Sequence, residues 1–211
     1  MTKTYFKIGL EKEFFLVHDG RPMLIPDGMP KDDCNLLVEA RGNPYNDVVE
    51  AVYSLMADIE RVELLNRKFA PIGSCARLTD APFMPIDRSL ALKALRQSGK
   101  GPIRYQNLYG YEDHFNPRNT MTAGIHISFT YPHVYSTKEG LNNSVNQLFD
   151  FPQLFRYLDN MFAVEIKAAR RRPGFYEIKN DNRVEYRSLP ANVDLKKLIE
   201  VLCKAPVLGC Y

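Results

Sequence analysis

Glu11 and Glu13 stand one residue apart in an apolar, β-forming stretch, Tyr5-Phe-Lys-Ile-Gly-Leu-Glu-Lys-Glu-Phe-Phe-Leu-Val17. Residues two apart on a strand project to the same side, so the two carboxylates share one face while Leu10, Lys12 and Phe14 take the other. Carboxylates held side by side repel unless a cation, a shared proton or an arginine lies between them. Taken alone, such a pair more often marks a solvated strand face. The run Phe14 to Val17 favours a central strand over an exposed one.

The same alternation recurs in Arg183-Val-Glu-Tyr-Arg187, where Arg183, Glu185 and Arg187 fall on one face and Val184 and Tyr186 on the other. That pattern reads either as an exposed ionic ladder of little energetic weight or as an anion site. In the second reading the planar guanidinium forks match phosphate or carboxylate, and Glu185 orients them or binds a metal. In Gly124-Ile-His-Ile-Ser-Phe-Thr130 the apolar residues again take one face, leaving His126 and Ser128 on the other. Glu39, in Leu37-Val-Glu39, is a further acidic candidate. Three strands with inward-capable carboxylates and cations suit a hard divalent ion, which takes oxygen ligands and commonly sits between carboxylates and nucleotide phosphates.

The elements that must carry these groups are readable in outline. A turn is expected at His18-Asp-Gly-Arg-Pro22, and a second extended segment over Asp33 to Arg41. Apolar residues from Val48 to Val62 recur at helical spacing behind Asn46-Asp47, predicting a capped helix to about residue 68. Residues 71–119 read as loops, with one short helix near Ser89 to Gln97. Asn142 to Arg172 reads as helical, with Pro152 starting a new helix or kinking a continuing one. Gly174 to Leu189 reads as a hairpin around Asn180-Asp-Asn182, and Asp194 to Lys204 as a closing capped helix. The sum is one α+β domain over residues 1–211, built on an antiparallel sheet.

Composition narrows the classes. The net charge of +3 among 211 residues does not single out a polyanionic partner, so nucleic acid is not expected; Arg170-Arg-Arg172 reads as a solvated helix end. No stretch approaches the roughly 20 apolar residues of a membrane span, and a cytoplasmic protein is expected. Cys34, Cys75, Cys203 and Cys210 form no CxxC pair and read as reduced thiols. Ser98-Gly-Lys-Gly101 lacks the upstream glycine and following hydroxyl of a phosphate loop. Gly-x-Ser-x-Gly is absent, which removes the serine elbow of the α/β-hydrolases.

Gly9-Leu-Glu11-Lys-Glu13-Phe14 resembles the Gly-x-Glu-x-Glu-Phe opening of glutamate-cysteine ligases and of related carboxylate-amine ligases often encoded by bacteriophages. Arg118-Asn-Thr-Met-Thr-Ala-Gly-Ile-His126-Ile-Ser128 is similar to that family's Arg-Thr-Ala-Gly-Gly-His-Ile-His strand. Pro173-Gly-Phe-Tyr176 and Arg183-Val-Glu-Tyr-Arg-Ser-Leu-Pro190 resemble its closing Gly-x-Tyr-Arg and Glu-Tyr-Arg-(Ser/Thr)-Leu signatures. The ordered set places the chain beside the glutamine synthetase and glutamate-cysteine ligase superfamily.

The resemblance implies a curved antiparallel sheet with the active site on its concave face and helices on the convex one. It implies an ATP-dependent ligase that joins a small-molecule or peptide carboxylate to an amine through an acyl phosphate, with Mg²⁺ or Mn²⁺. Glu11, Glu13, Glu39 and Glu185 would be metal ligands, and Arg187, Glu185 and His126 the catalytic groups. Arg118, Arg172, Arg183, Arg187, His126 and Ser128 would contact the nucleotide. A phage-encoded form would work in the host cytoplasm, and an oligomer is compatible with the sequence. Ser128 stands where the family often has a second histidine and Glu177 where it often has arginine, and the chain is shorter than glutamine synthetases. A non-catalytic nucleotide-binding or inhibitory protein on the same fold is the competing expectation.

Overall fold

The computed structural model describes residues 3–32, 35–69, 76–98, 120–130, 151–179 and 183–205. The chain divides into two compact units: Met1–Lys12, Arg41–Asp58 and Gly124–Tyr211 form the first, Glu13–Ala40 and Ile59–Ala123 the second. Strand β1 (Lys3–His18) contributes its opening part to the first unit and the remainder to the second.

In the first unit β1 pairs antiparallel with β4 (Tyr45–Asp47) and β8 (Gly124–Thr130), β8 with β10 (Arg183–Pro190), and β10 with β9 (Tyr176–Lys179). Register turns the sequence alternation into rows across the sheet. Ile8, Phe129, Val184 and Ile178 make one apolar row, and Leu10, Ile127, Tyr186 and Tyr176 the next. Helix α3 (Phe151–Met161) packs on that face: Phe155 lies 5.2 Å from the Tyr186 ring and 5.3 Å from that of Tyr176, and Phe151 lies 5.7 Å from Phe129. Pro152 sits in the first turn of α3, where a missing N–H breaks no helical bond. Tyr186 donates its hydroxyl to Asp159 Oδ1 at 2.7 Å, and burial together with that carboxylate pushes its phenol far above the ordinary range.

The predicted helix of residues 142–172 resolves into α3 and the short α4 (Ala163–Ala168), separated by the buried Phe162; residues 142–150 lie outside the described part. The closing helix α5 (Leu195–Cys203) starts from Asp194, whose carboxylate accepts from Lys196 N, and Tyr157 donates to Val201 O to join it to α3. Cys203 is a half-buried thiol there, whereas Cys34, Cys75 and Cys210 fall outside the described residues. The curved antiparallel sheet carrying helices on one face agrees with the α+β expectation. Register shifts between Tyr186 and Leu189 and between Lys3 and Ile8 are irregularities of the kind that bend strands.

In the second unit Asp19 and Gly20 both adopt positive φ, 48° and 75°, the backbone of a type I′ turn, and return the chain into β2 (Arg21–Pro22). Strand β5 (Arg77–Thr79) pairs with Phe15 to Val17, and β6 (Phe83–Pro85) with β7 (Thr120–Thr122). Strands β5 and β6 are additions to a region the sequence presents as loops, because three-residue strands are too short to show an alternation. Helix α2 (Arg88–Ser98) lies where one was expected. Strand β3 (Leu37–Arg41) pairs with β1. No described helix is long and apolar enough to cross a membrane.

Helix α1 (Val48–Phe69) starts where the pattern predicts, with Asp47 Oδ1 accepting from Val49 N at 2.8 Å and Glu50 N at 3.1 Å. Replacing Asp47 by alanine leaves two first-turn donors without this acceptor. Asp47→Ala is expected to cost about 1 kcal/mol, read as a lower urea midpoint at unchanged slope.

Candidate active site on the polar face of the sheet

The face of the first unit opposite α3 carries the charged and polar side chains. One row across the strands runs Gly9, Ser128, Glu185 and Glu177; Glu11 stands directly opposite His126 in the next. Gly9 presents no side chain in that row, and a methyl group there would lie 3.7 Å from Pro44 Cβ and 3.8 Å from Ser128 Cβ. His126 and Glu185 are almost fully buried, and Glu11 lies at the rim with its side chain 15% exposed.

His126 links the two carboxylates: its Nδ1 is 3.7 Å from Glu11 Oε2 and 3.5 Å from Glu185 Oε1. Glu11 Oε1 faces Arg183 Nη1 at 3.6 Å and Arg41 Nε at 3.7 Å. Arg183 also reaches Ser128 Oγ at 3.5 Å. Arg187 donates to Glu185 Oε1 and lies 3.4 Å from Glu177 Oε2, while Lys179 Nζ is 3.3 Å from Glu185 Oε2 and 2.6 Å from Glu177 Oε2. Burial alone would raise the Glu185 pKa, but the charges of His126, Arg187 and Lys179 outweigh it and hold the carboxyl below its ordinary range. Glu185 is therefore an anion at neutral pH, as a metal ligand has to be.

Arg187 is positioned from behind. Arg171 donates through Nη2 to Arg187 O at 2.5 Å and through Nε to Ser188 O at 3.1 Å, so its guanidinium clamps β10 where the register shifts. Ser188 Oγ accepts from Phe175 N and donates to Arg172 O, tying the turn before β9 to the same point. Arg171 thus has a structural task in place of the solvated role expected of the arginine run.

The structure gathers Glu11, His126, Ser128, Arg183, Glu185 and Arg187 on one face, as their alternation implied. Glu13 and Glu39 are buried and belong to the second unit. Arg172 is exposed in the turn before β9, outside this ion-pair cluster, and Arg118 lies outside the described residues. Sequence reasoning passed over Lys179 and Arg41. The signal for Lys179 was its same-face spacing from Glu177 on the strand paired with Arg183 to Arg187; Arg41 stands at a strand end with no pattern around it.

Its fold is shared with a bifunctional glutathione synthetase. That crystal structure, from Pasteurella multocida, superposes with a TM-score of 0.50 at 10% identity, over 94% of this chain and 37% of the other. A glutamate–cysteine ligase from Francisella tularensis in complex with AMP aligns at a TM-score of 0.34 and 15% identity, over 92% of this chain and 43% of that one. The chain thus spans less than half the length of either. No family model matches the sequence, and no curated protein matches it significantly.

The glutathione synthetase likeness is one of fold. Glu11, His126 and Glu185 each offer a ligand atom, all within 4.8 Å of one another, which suits a divalent cation. Two carboxylates fit Mg²⁺ or Mn²⁺, which complete their shells with water and phosphate oxygens, and the imidazole nitrogen tilts the set toward Mn²⁺. Among the described residues, Arg41, Lys179, Arg183 and Arg187 face Glu11, Glu177 and Glu185. Cations gathered around a metal-type carboxylate pair fit a metal–polyphosphate complex better than a bare cation.

Proposed function

We propose that the chain is an ATP- and Mg²⁺-dependent carboxylate-amine ligase, with residues 1–211 forming its ligase-like domain. The observation that carries this is the joining of Glu11, His126 and Glu185 to the phosphate-matching groups Arg183, Arg187 and Lys179 on one sheet face. The ordered motif resemblance and the shared fold support the same reading.

In this reading a substrate carboxylate oxygen attacks the γ-phosphorus of ATP, the bond to the β,γ-bridging oxygen breaks, and ADP leaves. The amine nitrogen then attacks the acyl carbon, phosphate departs with the bonding pair, and loss of a proton leaves the amide. Arg187 and Arg183 hold the phosphoryl oxygens, because charge spreads over them as the phosphoryl group transfers. His126 stands between the Glu11 and Glu185 carboxylates. Glu11, Glu185 and His126 would hold a divalent cation, which would supply charge neutralisation to the polyphosphate.

Glu13 and Glu39 join the ligand set through the family resemblance alone. Glu13→Gln is expected to abolish Mg²⁺-dependent ADP formation while the far-ultraviolet circular dichroism stays that of the parent; retained turnover removes Glu13 from the set.

The reaction is tested by mass spectrometry after incubation with ATP, Mg²⁺ and mixed amino acids, polyamines and peptides. A new amide mass with stoichiometric ADP is expected. Nucleotide binding without ADP or amide would instead favour the non-catalytic reading, to which Ser128 in place of a second histidine lends support.

A further inference from the structure

We propose that Lys179 is an exchangeable cation of this site: it competes with a divalent metal for Glu185, and a polyphosphate relieves the competition by taking the lysine. The inference rests in part on the nucleotide reading above and adds a residue and a binding order to it.

Lys179 stands on β9, the terminal strand of the β1-β8-β10-β9 run, directly opposite Arg183. Like charges placed opposite one another on neighbouring strands repel. Here each leans toward a different carboxylate, Arg183 to Glu11 at 3.6 Å and Lys179 to Glu185 at 3.3 Å. An anion lying between the two strands would draw both cations at once, and a chain of phosphates has the length and charge to do so.

Glu185 faces cationic or cation-capable groups on both oxygens. Oε1 meets Arg187 and His126, and Oε2 meets Lys179. A metal ion entering at Oε2 must therefore displace or repel the ammonium. Arg187 is poorly suited to yield, since its guanidinium is nearly buried, spans Glu185 and Glu177, and follows a backbone clamped by Arg171. Lys179 carries a compact charge on a flexible four-carbon stem and can swing without disturbing the strand. Glu177, paired with the same ammonium at 2.6 Å, keeps it at the site while it changes partner.

The consequence is an order of binding. Metal alone meets Glu185 already neutralised, whereas metal arriving with a polyanion meets it after Lys179 has turned to phosphate.

Calorimetry of Mn²⁺ alone, and of Mn²⁺ with inorganic triphosphate or a non-hydrolysable ATP analogue, tests this in the parent and in Lys179→Gln and Lys179→Arg. Lys179→Gln is expected to bind Mn²⁺ alone about tenfold tighter and the metal–polyphosphate about tenfold weaker, while Lys179→Arg stays near the parent in both. Unchanged or weakened binding of Mn²⁺ alone by folded Lys179→Gln overturns the competition, whichever anion is the natural ligand. Both affinities moving in the same direction overturns the exchange. A parent protein that binds neither polyphosphate overturns the nucleotide reading, and the Mn²⁺ titration still decides the competition.

Discussion

Glu185→Gln is expected to lower Mg²⁺-dependent ADP formation by at least about a hundredfold and to destabilise the fold by roughly 3 kcal/mol. Both effects follow from one geometry. The carboxylate is buried and faces Arg187, His126 and Lys179, so the amide removes the charge that compensates them and a ligand atom of the metal set. Removing one partner from a buried ion cluster costs more than the intact cluster contributes, because the remaining charges stay desolvated. Glu11→Gln separates the two consequences. Glu11 lies at the rim, with the exposed Arg41 among its partners, so its loss should reach a similar deficit in ADP formation with little change in urea midpoint. Equal destabilisation by both variants would contradict the burial argument, and an active Glu185→Gln would contradict the chemical one.

Gly124→Ala is expected to destabilise the protein by about 1–3 kcal/mol and to lower the melting temperature by roughly 5 °C. A methyl group at this position would lie 2.7 Å from Arg171 Nη2, 2.9 Å from its Cζ and 2.9 Å from Leu189 O. The guanidinium has little room to retreat, since it is bonded to Arg187 O and Ser188 O, and Leu189 O belongs to the β10 backbone. The damage should spread to the site, because the displaced clamp is what sets Arg187. Arg171→Ala therefore serves as the companion variant: loss of nucleotide affinity in a protein still folded at 25 °C would show the clamp acting through Arg187. Undiminished affinity would confine it to stability.

The parts of the fold written in strong periodicity were legible. Gly124 to Thr130 alternates without a break and forms β8 over those same residues, and Asp47 caps a helix whose apolar spacing announces it. Glu11, His126 and Glu185 were legible as same-face groups on three strands, because a pleated strand fixes side-chain direction from position alone. What alternation does not encode is which strands are neighbours and in what register. Lys179 acquires its place beside Glu185 only through the β9–β10 pairing. Arg171 looked like one of three helix-end charges, and its task depends on the close approach of Gly124 across the sheet. Strands β5, β6 and β7 are three residues each and owe their existence to a partner strand more than to their own composition.

Glu11, His126 and Glu185 are proposed to bind a divalent cation together with a nucleotide. The most direct measurement of this binding is calorimetric titration of the parent protein with a non-hydrolysable ATP analogue, in Mg²⁺ and again in EDTA, repeated on Glu11→Gln. The expected result is saturable one-to-one binding in Mg²⁺ that is lost in EDTA and lost in the variant. Binding that survives both EDTA and Glu11→Gln, or no binding by the folded parent, would contradict it.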